Sequence, residues 1–470
     1  MSKQLIISLA TLLLLINSVG AQHQELNEDP KLWGKSKKTI DSNNILYPFQ
    51  MGTMHGHFRS FFSSTFNKNS SVEYANAVGG GIQFISKPLL NLQIGVSGFF
   101  VYDAFSTDLT KVHPVSKTLN RYELGLFDVT NPANKTDIDR LEELYIQYNK
   151  KNIAITLGKQ LLNTPFINLQ DGRMRPTEVQ GIWGQWKNNN KKWYGGWINR
   201  FSPRSTVEWY KTNESIGIYS VGVNVDGSKS GYKNNLDSKG VAIIGTDLVF
   251  SKNYKLQLLN QYVDNIFNST FLQFDKASTN KNNTYYGVQL IKQNVINDGG
   301  NKELNKTYFD PNQSSFVIGV RFGKQSIHWD YSFNYTRITK NGRYLMPREW
   351  GRDPFYTFLA GERNEGFGDL SAYVVKIRHN IKNKPLIINM AMGYFNLPDV
   401  KNYALNKYSF PSYLQYNLET RYTFNGFLKG WELQLVYFYK KAVGDTYNEP
   451  KNYINKVDMG HFNTILNFHF

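Results

Sequence analysis

The sequence predicts an all-β protein: a transmembrane antiparallel β-barrel of 18 strands, with infolded loops that narrow its pore. Three observations predict it. Segments of about ten residues alternate in polarity along most of the chain, the signature of barrel-spanning strands. The connections between these segments alternate short and long. The chain starts with an export signal and ends on an alternating strand closed by an aromatic residue.

The export signal is local. Lys3 is followed by an apolar run from Leu5 to Ile16, and Val19-Gly20-Ala21 supplies small residues for a signal peptidase. Residues 1–21 read as a signal peptide, with Gln22 as the mature start. The apolar run has 12 residues, whereas a spanning helix needs about 20. No later stretch is long and apolar enough for such a helix. Residues 22–50 are polar and irregular and read as a periplasmic leader, with the barrel over 51–470.

Composition narrows the class further. The chain has no cysteine, which excludes a disulfide-stapled fold, a cysteine-ligated metal and a lipoprotein anchor. It holds 30 Tyr, 31 Phe and 9 Trp, yet its mean hydropathy is −0.46. A barrel reconciles the two: aromatics gird the interfaces while polar residues fill the lumen and loops. A soluble all-β lectin or glycosidase shares the same bias. The formal net charge of +17 suits an anionic solute or a lipopolysaccharide surface. Nucleic acid is not expected of an exported chain without a basic helical cluster.

The strands follow in order. Trp431, Leu433, Leu435, Tyr437 and Tyr439 share one face, with Glu432 and Gln434 opposite. Leu414, Tyr416, Leu418, Tyr422 and Phe424 oppose Gln415, Asn417, Glu419, Arg421 and Thr423. Ile327, Trp329, Tyr331, Phe333 and Tyr335 oppose His328, Asp330, Ser332 and Asn334. Short connections centre on Lys87-Pro88 and on 150–152, 188–191, 251–253, 323–326, 380–385 and 425–429. Long ones lie near 103–140, 160–178, 202–238, 293–313, 338–368, 396–411 and 441–456. This asymmetry gives 18 strands with both termini on the periplasmic side. The stretch 264–292 interrupts it and leaves 16 or 20 as alternatives. Phe462, Thr464, Leu466, Phe468 and Phe470 share a face, and Phe468 with terminal Phe470 resembles the signal read by the outer-membrane barrel assembly machinery.

No serine-hydrolase, zinc-protease or phosphate-loop motif is present, and no cofactor is expected. Gly79-Gly80-Gly81 interrupts a strand pattern, as close packing or a kink requires. His55 and His57 share a strand face with Arg59, without an identifiable third metal ligand, so no metal is expected. Two loops carry the charge pattern. Residues 160–178 combine Leu161, Phe166, Ile167 and Met174 with Asp171, Arg173, Arg175 and Glu178. Their apolar side chains can pack the loop on the inner wall and hold its charges in the pore. Residues 338–368 repeat the theme with Arg348, Glu349, Trp350, Arg352, Asp353, Glu362, Arg363 and Glu365.

These loops resemble those of a divergent branch of the OprD-like family of outer-membrane porins. The matching stretches are 158–181, with LNTPFINLQDGRMRPTEVQG, and 343–369, with RYLMPREWGRDPFYTFLAGERNEGFGD. GHFRSFF at 56–62 and the closing strand agree. The resemblance implies an 18-stranded barrel of monomeric type with a narrow eyelet, although a trimer is also compatible with the sequence. It implies a ladder of basic side chains that guides small anionic or zwitterionic carboxylates. The eyelet candidates are Arg173, Arg175, Arg348, Arg352 and Arg363. Arg59, Arg321, Arg378 and Arg421 have lumen parity and would continue the ladder. Asp171, Glu178, Glu349, Asp353, Glu362 and Glu365 would pair with the arginines or form an opposing acidic wall. The partners implied are outer-membrane lipid, lipopolysaccharide and the assembly machinery. A barrel enzyme of lipase or protease type, a plugged active transporter and a soluble binding module are the rival readings.

Overall fold

The computed structural model describes residues 46–470 apart from 170–172, 252 and 278–281. The expected signal peptide, most of the leader, and Asp171 lie outside the described residues. A helical turn at Tyr47–Gln50 precedes the first strand.

Nineteen strands occur among the described residues, and eighteen of them close into one antiparallel barrel. The first quarter comprises β1 (Thr53–Asn67), β2 (Glu73–Ile85), β3 (Leu92–Ser106), β4 (Ile138–Lys150) and β5 (Ile153–Gln160). Then come β6 (Glu178–Asn188), β7 (Lys191–Ser202), the two-residue β8 (Tyr210–Lys211), β9 (Val241–Ser251) and β10 (Tyr254–Val263). β11 (Phe267–Lys276), β12 (Asn282–Val295), β13 (Ser314–Ser326), β14 (Trp329–Ile338) and β15 (Leu370–Asn380) follow. The wall ends with β16 (Leu386–Asn396), β17 (Tyr413–Thr423), β18 (Trp431–Ala442) and β19 (Met459–His469). β7 pairs directly with β9, which leaves β8 inside a loop. β1 pairs with β19 from His57↔His469 to Asn67↔Met459, so the sheet has no open edge. A bilayer demands this, because an unpaired backbone group in hydrocarbon costs several kcal/mol.

Alternation sets the two faces. Along β14, Tyr331 and Phe333 are exposed while Asn334 and Thr336 are buried inside. Along β17, Tyr416 and Leu418 are exposed while Gln415 and Glu419 are buried. Aromatic rings stack at strand ends: Trp329 on His379 with centroids 3.8 Å apart, and Trp431 on Phe468 at 4.7 Å. An apolar exterior around a polar interior is a surface made for lipid.

Both termini of the barrel lie at the end with the short turns. The stretch 264–292 resolves into β11 and β12. β10 and β11 are joined by only three residues, 264–266, on the side where the other connections are mostly long. That short outer turn, with Asn265 in the left-handed region (φ 60°), is what broke the alternation. The turn expected at 323–326 is a correction: β13 continues to Ser326, and the reversal falls at 327–328. Polar residues there extend the ladder beyond the apolar band. Glu178 likewise opens β6 rather than belonging to the loop before it.

The long connections fold inward. Here they are L2 (107–137), L3 (161–177), L4 (203–240), L6 (296–313), L7 (339–369), L8 (397–412) and L9 (443–458). Their apolar side chains meet inward-facing strand residues to form a core within the barrel. Phe166 and Ile167 of L3, Tyr344 and Trp350 of L7 and Phe309 of L6 pack with Phe201, Phe271 and Val317 of the wall. Burying each such side chain contributes about 1.5–3 kcal/mol. A smaller core joins Leu124, Leu126 and Phe127 of L2 to Phe61, Phe99 and Met174. At Gly79 an added Cβ would meet the Phe99 ring, the Phe100 carbonyl and the Met174 methyl. The glycine therefore serves close approach of L3 to the wall.

Candidate functional site

Between the infolded loops lies a cavity of about 640 Å³. Five arginines line it: Arg121 of L2, Arg173 of L3, Arg204 of L4, and Arg348 and Arg363 of L7. Four lysines join them: Lys407 of L8, Lys440 of β18, and Lys451 and Lys456 of L9. Two acidic side chains, Glu362 and Glu365, line the same space. Nine cations thus face two acids among the described lining residues.

Tyr122 is the centre of this lining. Its ring carries the Arg121 guanidinium 5.3 Å from the centroid and that of Arg173 at 5.9 Å. The ammonium of Lys440 lies 3.5 Å from its hydroxyl and donates to the Gly361 carbonyl at 2.6 Å. L2 is pinned there by Glu123, which is fully buried. Its carboxylate accepts from Ser63 (3.1 Å) and from Thr65 (2.6 Å), and Thr65 also meets His461 Nδ1 at 2.9 Å. Burial raises the Glu123 pKa above the ordinary carboxylate value.

The acidic residues of L7 act largely on backbone. Glu349 accepts the N–H groups of Gly217 and Tyr219 at 3.0 and 2.9 Å, tying L7 to L4. Asp353 accepts those of Asn364 (2.8 Å) and Glu365 (3.2 Å) within L7. Glu362 accepts from Leu359 at 3.1 Å. Burial first, and then the charge of Asp353, push its pKa up to about 8. Glu365 accepts from the Tyr408 hydroxyl at 2.9 Å and lies 3.6 Å from Lys407 and 3.9 Å from Arg348. Glu349 and Asp353 lie outside the cavity lining, and no acidic wall opposes the arginines among the described residues.

The basic candidates divide. Arg173, Arg348 and Arg363 line the cavity; Arg175 and Arg352 do not. Arg175 forms a two-pronged pair with Glu142, one contact being 2.6 Å, and lies over the Phe99 ring at 4.5 Å. Glu142 also pairs with Arg140 at 3.0 Å, and Arg140 reaches Glu178 at 3.9 Å. This network fixes the C-terminal root of L3, with Arg140 also donating to the Pro176 carbonyl at 2.9 Å. Arg352 lies over the Phe358 ring at 4.3 Å.

The four strand arginines all face the interior. Arg59 is buried, donates to Asn467 at 2.8 Å and to the Arg173 carbonyl, and so supports the L3 turn. Arg321 pairs with Asp275 at 2.7 Å beneath the Tyr356 ring. Arg378 and Arg421 line a second cavity of about 70 Å³ with Lys376, Asp330 and Glu419. Ala360 borders both cavities, so the 359–362 turn of L7 stands between them. Gln415 and Asn417 donate to the Ala360 carbonyl at 2.8 and 3.0 Å and hold that turn against the wall. Among the described residues no cluster of three His, Asp or Glu could hold a metal.

Sequence reasoning missed Arg121, Arg204, Lys407, Lys440, Lys451 and Lys456. For Arg121 a signal existed: Leu119, Tyr122, Leu124 and Leu126 mix apolar anchors with charge as L3 does.

The fold has solved counterparts. Pseudomonas aeruginosa OccK9 (OpdG) is 13% identical, with a TM-score of 0.69 over 90% of this chain and 99% of its own. An OpdK structure from the same organism, solved with vanillate, is 10% identical with a TM-score of 0.67, covering 90% and 99%. Another, described as the outer membrane protein opdK, is 12% identical with a TM-score of 0.66 over 90% and 99%. At this identity the likeness is one of fold, and it is the fold implied by the OprD-like loops. No family model matches the chain. No curated protein matches it.

Proposed function

We propose that the chain is an integral outer-membrane porin that passes small carboxylate-bearing solutes by passive, selective diffusion. One observation carries this reading: nine cationic side chains on six loops and one strand converge on a single cavity with two acids. A lipid-facing barrel supplies the passage and the infolded loops supply the filter. Guanidinium is charged throughout the physiological range and grips a carboxylate with two parallel donors. A succession of such groups lowers the entry barrier for an anion. Spreading them along the path keeps each binding step weak enough for release. On this reading the solute leaves the main cavity past the L7 turn toward Lys376, Arg378 and Arg421, which line the smaller cavity. Solved relatives of the same fold include one holding vanillate, a carboxylate. The outer membrane, its lipopolysaccharide and the assembly machinery are the partners this reading requires.

Purified protein in planar bilayers should conduct without an energy source and prefer anions to cations. Arg173→Ala with Arg348→Ala should lower carboxylate flux several-fold while the barrel remains heat-modifiable on gels. Cation preference in the wild type, or unchanged carboxylate flux in the double variant, defeats the proposal.

A further inference from the structure

We infer that the solute matched to this cavity is a small dianion, a dicarboxylate or a phosphate monoester, rather than a monocarboxylate or a zwitterion. The inference rests on the porin reading above and concerns the same cavity.

The first observation is the density of positive charge around one ring. Arg121 and Arg173 both lie over Tyr122, and Lys440 reaches its hydroxyl. Arg348 and Arg363 line the same space. Arg121 stands among the like charges of Arg348, Arg363 and Arg173. It stays protonated at neutral pH, and its neighbours repel it. Crowded cations of this kind gain most from a ligand that offsets more than one of them.

The second observation is where the negative charge goes. Glu365 is buried and already shared among Lys407, Arg348 and the Tyr408 hydroxyl. Glu362 has its carboxyl on the Leu359 N–H, and its pKa near 8 leaves it mostly neutral at pH 7. The lining therefore offers one committed carboxylate against eight cations and a half-charged Lys456. A zwitterion would bring an ammonium group with no available acidic partner among the described residues. A monocarboxylate would leave the surplus nearly intact. Two acidic groups a few bonds apart can engage the L2–L3 arginines and the L7 arginines together, with Tyr122 as the platform between them.

The test compares matched probes as blockers of chloride current through the wild-type channel in planar bilayers. Succinate and monomethyl succinate differ by one charge at similar size; glycerol 3-phosphate supplies the phosphate monoester and alanine the zwitterion. One additional charge-assisted contact corresponds to about tenfold in apparent affinity. Succinate or glycerol 3-phosphate should therefore act at about one-tenth the concentration of monomethyl succinate, with alanine weaker still. The stronger of the two dianions identifies the acid class. Arg121→Gln, on a residue open to the cavity water, should narrow the gap between succinate and its monoester. Equal block by all four compounds, or an unchanged gap in Arg121→Gln, overturns the dianion inference and leaves the porin reading standing. A wild-type channel without anion preference overturns both.

Discussion

Trp350 is the side chain on which the loop assembly turns. Its ring lies parallel to Phe201 with centroids 4.5 Å apart, and its indole N–H donates to Ser215 Oγ at 3.0 Å. Its carbonyl accepts the Asn168 N–H of L3 at 3.1 Å. One residue of L7 is thereby joined to the wall, to L4 and to L3. Trp350→Ala removes the stack and leaves a cavity, at a cost of about 3–5 kcal/mol. The expected result is a lower midpoint for heat-induced mobility change on gels, with larger and noisier single-channel conductance. Trp350→Phe keeps the stack and should recover most of the stability. A midpoint unchanged by alanine would mean that the loops are held elsewhere. Residue roles were the least legible level of the sequence. Arg175 and Arg173 are two positions apart, yet one is locked to Glu142 and the other lines the cavity. Spacing gives the sign of a charge and its strand parity. It does not give a partner that lies on another loop, such as the Gly217 and Tyr219 amides beneath Glu349.

At the scale of elements the sequence was far more legible, because lipid on one side and water on the other impose a strict two-residue period. The count of eighteen, the lumen parity of the arginines and the inward packing of L3 all follow from that period and from apolar residues in loops. Failures came where polarity stopped tracking geometry: the three-residue outer turn at 264–266 and the polar end of β13. Closure of the barrel is likewise a matter of elements. Phe470 exchanges backbone hydrogen bonds with Gly56, N–H to carbonyl at 3.0 Å and the reverse at 2.7 Å. Its ring occupies the space where a Gly56 side chain would stand. Phe470 also stacks on Phe468 at 5.4 Å, and Phe468 on Trp431. Gly56→Val should displace Phe470 and spoil the last rung of β1–β19, and deletion of Phe470 should remove it. Both variants should reach the outer membrane in smaller amounts and yield less heat-modifiable protein, the deletion more severely. Normal yield from both would show that closure is decided further along the β1–β19 ladder.

Across the whole molecule, the cavity's charge is a function of pH, and its loop groups titrate in one direction. Glu362 has its pKa raised to about 8 by burial and then by Asp353. Lys407 is lowered to about 8 by burial, with Arg343 and Arg348 adding to the effect and Glu365 opposing it. Lys456 is lowered to about 7 by burial and by the charges of Arg121 and Lys451. As pH rises through this range Glu362 gains a negative charge while the two lysines lose positive ones, so every step makes the lining less cationic. Stability behaves differently. The raised carboxyl binds a proton in the folded state that the unfolded chain releases, so its contribution falls as pH climbs toward about 8. The lowered lysines are neutral in the fold while still charged when unfolded, so their contribution grows with pH above about 7–8. These slopes fall in successive pH windows, so this contribution to stability passes through a minimum near pH 8, whereas the electrostatic changes coincide there. Ion selectivity is therefore the readout in which the three groups act together. The ratio of chloride to potassium permeability should fall between about pH 6 and pH 9. Glu362→Gln should remove part of that fall and leave the remainder to the lysines. A permeability ratio flat across this range would mean that the three groups keep ordinary charge states, and that the loops enclosing them admit far more water than their packing indicates.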